Sequence, residues 1–141
     1  MPTILITGAS GGLAQEMVKL LPEDQLILLG RDKEKLAQLY GNHPHAELIE
    51  IDITDDSALE TLLADLYIRY GKIDVLINNA GYGIFEEFDQ ISDQDIHQMF
   101  EVNTFAPDES ISTPCGSYEG KPKRPYHQYC QYGRSDCYWQ V

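Results

Sequence analysis

The sequence predicts an α/β domain organised around a parallel sheet, and three observations carry that expectation. Short apolar runs alternate with amphipathic stretches of helical spacing from residue 3 to residue 78. Each run ends on or beside a glycine, an acid or an asparagine. The alternation itself demands crossover connections, which are right-handed and lay helices over parallel strands. Ligands on such sheets sit beyond the strand C-termini. The residues to follow are therefore 8–13, 30–32, 52–53 and 78–81.

The first run, Thr3-Ile4-Leu5-Ile6-Thr7, carries no charge, as a buried strand requires. A glycine-rich turn follows at residues 8–12, then LAQEMVKLL, whose Leu13, Met17, Leu20 and Leu21 suit one helical face. Glycine at such a turn permits close backbone approach, and the N–H groups at the helix start can receive a pyrophosphate. The same turn also serves as a plain connector, so both readings stand at this point. QLILLG (25–30) reads as a second strand and DKEKLAQLY as a helix. AELIEID (46–52) is a third strand. DSALETLLADLYIRY (56–70) is a longer helix with Leu59, Leu62, Leu63, Leu66 and Tyr70 along one side. IDVLIN (73–78) supplies the fourth strand. A further helix is expected from Ser92, with Asp95 as its capping partner, carrying Ile96, Met99 and Phe100 toward Asn103.

Charge and composition narrow the function. Net charge is -13, which argues against nucleic acid and anionic lipid as partners. No apolar run approaches membrane-spanning length, and MPTILITGAS has no basic segment ahead of its apolar run, so the expected location is cytoplasmic. The averages conceal a break. Up to Pro107 there are six Lys or Arg against nineteen Asp or Glu, whereas from Asp108 onward four basic residues balance four acidic ones. All three cysteines (Cys115, Cys130, Cys137), Trp139 and five of the nine tyrosines also lie beyond Pro107. An odd cysteine count is poor support for a disulfide framework. Cys130, Cys137 and His127 do not complete a structural zinc pattern. His43, His45 and His97 are scattered, and the Glu86, Glu87 and Asp89 cluster reads as a wet loop. The expected organisation is a partial nucleotide-binding domain over 1–107 and an aberrant tail over 108–141.

Taken together, the strand ends resemble the short-chain dehydrogenase/reductase family, whose members use NAD or NADP. ITGASGGLA is similar to the family's TGxxxGxG cofactor turn, matched by Thr7, Gly8 and Gly12, with Ser10, Gly11 and Leu13 in the same turn and Ala14 in place of the last glycine. NNAG resembles the motif after the fourth strand, which steadies the central sheet and places Asn79, Ala80 and Gly81 beside the cofactor. Asp52 and Ile53 resemble the acidic–apolar pair at the adenine, with solvated surface as the rival reading of Asp52. VNTF places Asn103 at the helix asparagine that supports the family's catalytic proton relay. The resemblance implies a Rossmann-like doubly wound parallel sheet, here of about four strands in the order 3-2-1-4. With no fifth strand, it also implies an exposed apolar edge on the fourth, prone to aggregation or strand pairing.

The second strand bears on cofactor choice. An acid at its end would bond the ribose hydroxyls and repel a 2′-phosphate. This chain has Gly30 followed by Arg31, and a guanidinium pairs bidentately with phosphate, so NADP is preferred over NAD. A surface charge balancing Asp32 and Glu34 is the plain alternative for Arg31.

The chemistry expected next is missing. Carbonyl reduction needs a proton donor, which in the family is a tyrosine aided by a lysine four residues on and by a serine. No Tyr-x-x-x-Lys occurs anywhere in the chain, and Ser110, Ser112 and Ser117 lie too near Asn103 to match that serine. Reading permissible codons for residues 108–141 displaced by one base restores a helix, a strand HIINI and an ASMAG loop, with the serine falling at Gln131. A frameshifted tail is therefore expected. The expected activity is hydride transfer between NADP(H) and a small carbonyl or alcohol, with no turnover from the chain as written. A catalytically dead nucleotide-binding or regulatory fragment, or an interaction protein using the aromatic tail, are the alternatives.

Overall fold

The computed structural model describes residues 1–84 and 90–105. The acidic cluster at 86–89 and everything expected of residues 106–141 lie outside the described residues. Four parallel strands form one sheet in the order β3-β2-β1-β4, as expected. They are β1 (Thr3–Ile6), β2 (Gln25–Gly30), β3 (Ala46–Glu50) and β4 (Val75–Ile77). The helices between them are α1 (Gly12–Lys19), α2 (Lys33–Tyr40) and α3 (Asp56–Tyr70). Beyond β4 come α4 (Asp93–Phe100) and a single π-helical turn, Glu101–Phe105.

The strand order and the hand of the crossovers dictate which face each helix covers. Stepping from β1 to β2 to β3 moves one way across the sheet, and right-handed crossovers put α1 and α2 on one face. The chain then jumps back past β1 to β4, so α3 must lie on the other face. Side-chain alternation along the strands matches this. Ile4, Ile6, Leu26 and Leu28 meet Ala14 and Val18 of α1 and Leu36 and Tyr40 of α2. Leu5, Ile27 and Leu29 meet Leu59, Leu63 and Leu66 of α3. Burying each of the Ile, Leu and Val side chains among these contributes about 1.5–3 kcal/mol, which is why β1 and β2 can be apolar on both faces.

Helix α3 uses the face expected of it and is closed at both ends. Asp55 accepts the Ala58 N–H at 3.0 Å, and Gly71, at φ 73°, ends the helix by donating its N–H to Tyr67. Helix α1 uses the expected face only in part. Leu13 and Leu20 are 51% and 81% exposed, while Ala14 and Val18 are buried with Met17 and Leu21 packed beside them. Ala9 and Ala14 both lie in the core cluster on this face of the sheet, while Leu13 stands outside it, exposed. Helix α4 carries Ile96 and Met99 half-buried and Phe100 exposed. Ser92 caps it, accepting the Asp95 N–H and donating its hydroxyl to the Asp95 carboxylate at 2.6 Å.

Candidate active site at the strand C-termini

Parallel pairing brings the C-terminal ends of all four strands to one edge of the sheet. Ile6 is level with Leu28 and Ile77, and Gly30 with Glu50. The loops that leave these ends carry the residues singled out by sequence, and the structure assembles them into one rim.

The turn after β1 is built for a close approach. Gly8 has φ 62°, and a Cβ there would stand 2.6 Å from the Ala80 Cα. Any side chain at Gly8 therefore collides with the loop after β4 and strains the backbone as well. The turn closes through the Gly11 N–H, which donates to the Gly8 carbonyl at 3.1 Å. Among the described residues, nothing lies within 4 Å of a would-be Cβ at Gly12. The capping residue of α1 is Gly11 and makes no side-chain cap, in contrast to Asp32, Asp55 and Ser92 at the other helices. Among the described residues, the N–H groups of Gly12 and Leu13 at the start of α1 have no hydrogen-bond partner. They have the polarity an anion needs, and the described residues leave room for one over Gly12. Ser10 is half-buried, Gly11, Gly12 and Leu13 exposed.

The loop after β4 is locked to this turn by Thr7, buried to 1% exposure. Its hydroxyl accepts the N–H groups of Asn79 and Ala80 at 3.1 and 3.0 Å. In return the Asn79 side-chain amide donates to the carbonyls of Thr7 and Gly8 at 3.2 and 3.0 Å. Asn79 is buried, Ala80 and Gly81 half-buried. Among the described residues, the amide of Asn78 and the Oδ1 of Asn79 have no hydrogen-bond partner.

Farther along the rim, Gly30 ends β2 against Leu36, whose δ-carbons would lie 3.2 Å from a Cβ there. Arg31 follows, exposed. The next acid, Asp32, is occupied as the α2 cap and accepts the Lys35 N–H at 2.9 Å. Asp52 is exposed and accepts both the N–H and the hydroxyl of Thr54, at 3.0 and 2.7 Å. Those bonds, with the Arg31 charge adding to them, hold its carboxyl below the usual 3.8. Ile53 beside it is buried.

Asn103 lies in the π-helical turn after α4, and both ends of its amide are committed. It donates to the Tyr82 carbonyl at 2.9 Å and accepts the Tyr82 N–H at 3.0 Å. Its side chain therefore ties the loop after β4 to the end of α4. Sequence reasoning missed Tyr82, whose part is played by its backbone, and Tyr40, whose buried phenol donates to the Ala9 carbonyl at 2.6 Å. The signal for Tyr40 was available, because a tyrosine four residues beyond Leu36 shares its inward face and a buried phenol needs a partner. Among the described residues no His, Cys, Asp and Glu group could hold a metal, and no helix is long and apolar enough to cross a membrane.

Comparisons with known proteins agree with this geometry. The model of the short chain dehydrogenase family matches residues 2–111. An uncharacterized oxidoreductase of Schizosaccharomyces pombe is 34% identical over 103 residues, covering 72% of this chain and 34% of its own. A probable short-chain type dehydrogenase/reductase of Helicobacter pylori, VdlC, is 30% identical over 118 residues, covering 84% and 44%. Among solved structures, a short-chain dehydrogenase from Streptomyces avermitilis superposes with a TM-score of 0.76 at 30% identity, covering 82% of this chain and 43% of that one. An alcohol dehydrogenase from Thermococcus sibiricus, complexed with 5-hydroxy-NADP, does so at 0.73 and 25% identity, covering 83% and 53%. The chain spans 34% and 44% of the length of the two curated relatives named. With the cofactor-type turn, the clamp between Thr7 and the asparagine loop, and the family match over residues 2–111, the chain belongs to the short-chain dehydrogenase/reductase family.

Proposed function

We propose that this chain binds a nicotinamide dinucleotide along the rim of strand ends, as the cofactor half of an oxidoreductase acting on a small carbonyl or alcohol. The single observation that carries the reading is the uncapped start of α1, left uncovered by the described residues and held by a turn whose Gly8 abuts Ala80. The N–H groups of Gly12 and Leu13 receive the pyrophosphate, and Leu13, exposed beside them, lies along the apolar parts of the ligand. Asp52 and Ile53 border the adenine. Asn79, Ala80 and Gly81 form the wall opposite the turn, and Asn103 positions that wall through Tyr82. When bound, the dinucleotide supplies the hydride.

We read the cofactor as NADP in preference to NAD. The end of β2 offers no carboxylate to the ribose, since Gly30 has no side chain and Asp32 is occupied as a helix cap. Arg31 is then the residue that meets a 2′-phosphate. The Arg31→Ala variant should lose about tenfold or more in NADP affinity, the equivalent of a charge-assisted hydrogen-bond pair, and little in NAD affinity. Calorimetric titration of both dinucleotides checks this, and equal small losses would remove the preference.

Turnover is not expected from these 141 residues, because no Tyr-x-x-x-Lys is present to donate a proton to a carbonyl oxygen. Carbonyl-dependent oxidation of NADPH by the purified chain would overturn that. The reading of residues 108–141 as out of frame is part of the same proposal. It is supported by the change in charge balance at Pro107. Sequencing the DNA across the codons for Pro107 and Asp108 tests it.

A further inference from the structure

We propose that Tyr40 is a positioning residue of the dinucleotide site, its phenol setting the shape of the glycine turn through the carbonyl of Ala9. This inference rests on the dinucleotide reading above and names a residue which that reading did not use. The turn has to hold one shape for its N–H groups to converge on an anion. Besides the Asn79 amide on the Gly8 carbonyl and the Gln15 amide on the Ser10 carbonyl, three restraints act on it. Gly8 is fixed at φ 62° against Ala80, and the Gly11 N–H closes the turn on the Gly8 carbonyl. The third is the peptide group on either side of Ala9. Its N–H donates to the Leu29 carbonyl of β2 at 2.9 Å, and its carbonyl accepts the Tyr40 hydroxyl at 2.6 Å.

Ala9 is fully buried, so without the phenol its carbonyl has no water to turn to. The peptide that links Ala9 to Ser10 would have to rotate to find another donor, and that peptide leads directly into Gly11 and Gly12. Tyr40 itself stands behind the turn, in the cluster with Ala14, Val18 and Leu36. Its influence on a ligand in front of the turn passes through Ala9. Burial also raises the phenol's pKa, which keeps the donor protonated throughout the neutral range. Helix α2 thus serves the rim at both ends. Its start adjoins Arg31 and its last residue holds the turn.

The test compares Tyr40→Phe with Ile27→Val, a mild core deletion on the α3 face of the sheet, both in the full 141-residue chain. Two readouts are taken: NADP affinity, and amide hydrogen exchange at Gly11 and Gly12 without ligand. The phenylalanine variant should bind NADP about tenfold more weakly, while I27V stays within about twofold of the parent. Exchange at Gly11 should quicken in Y40F alone, because its bond to Gly8 opens more often. Unchanged affinity in Y40F, or an equal loss in I27V, overturns the proposal and leaves Tyr40 a core residue. If the parent chain binds neither NADP nor NAD, the dinucleotide reading fails and this proposal falls with it. The Gly11 exchange rate, measured without ligand, then separates that failure from a failure of the Tyr40 contact.

Discussion

At the scale of single residues, Thr7 connects two loops that are 72 positions apart in sequence. A valine would fill the same volume but accept no hydrogen bond. The N–H groups of Asn79 and Ala80 would then be left without a partner, the first in a buried place and the second in a half-buried one. Each orphaned donor costs about 1–3 kcal/mol, so Thr7→Val should lower unfolding stability by about 2–4 kcal/mol after partial relaxation. Thr7→Ser keeps the hydroxyl and should recover most of that. Denaturant midpoints of the three proteins at unchanged slope decide it, and a valine variant as stable as the parent would show that Thr7 is held only by its packing. Asp52 differs in kind, since its bonds to Thr54 are at the surface. Its depressed pKa makes a stabilising contribution present above 3.8 and lost as pH falls through the lower folded value.

Among the elements, β3 and α3 are joined by a polar latch at the sheet edge. Glu47 of β3 accepts Arg69 Nη1 at 2.7 and 2.9 Å and the Tyr70 hydroxyl, and Arg69 also reaches Asp65 one turn earlier on α3. Partial burial, with the Glu47 carboxylate beside it, pushes the Tyr70 phenol up to about 12. The folded state therefore keeps a proton that the unfolded chain releases near 10.0. The stabilising contribution is complete below pH 10 and is lost as pH rises toward 12. Tyr40 has the same sign, so the signature is a difference. Tyr70→Phe should lose stability less steeply than the parent over that interval, measured by urea unfolding at stepped pH. Identical slopes would mean that Glu47 does not hold the phenol. The elements themselves were largely legible in the sequence. The strand runs and the α3 face follow from apolar spacing, and the Ser92 cap from its partner three residues on. The inward face of α1 was legible only in part. Met17 and Leu21 pack against the core as expected, but Leu13 and Leu20 are exposed while Ala14 and Val18, which obey the helical period as well, are buried. The contacts of Thr7 and Asn103 were hidden, since they join positions 72 and 21 residues apart in sequence.

For the whole molecule, the strand order makes one ligand a test of the entire rim. The turn after β1, Arg31 after β2, Asp52 and Ile53 after β3, and residues 79–81 after β4 come from four separate loops. They stand together only when the sheet is paired in the order β3-β2-β1-β4. A dinucleotide that touches all four binds the folded chain and has nothing comparable to bind in the unfolded one. Its binding free energy is then added to folding stability, about 2.7 kcal/mol at a ligand concentration one hundred times the Kd. The apparent melting temperature should accordingly rise with NADP concentration and keep rising after the site is saturated. Amide exchange should slow at the ends of all four strands together, since opening any one of them releases the ligand. Protection confined to β1 and the start of α1 would mean that only the pyrophosphate is held. In that case the adenine and ribose assignments of Arg31, Asp52 and Ile53 would fall while the anion site remained. A melting temperature indifferent to both dinucleotides would remove the cofactor reading altogether, leaving a fold that keeps the family's sheet without its ligand.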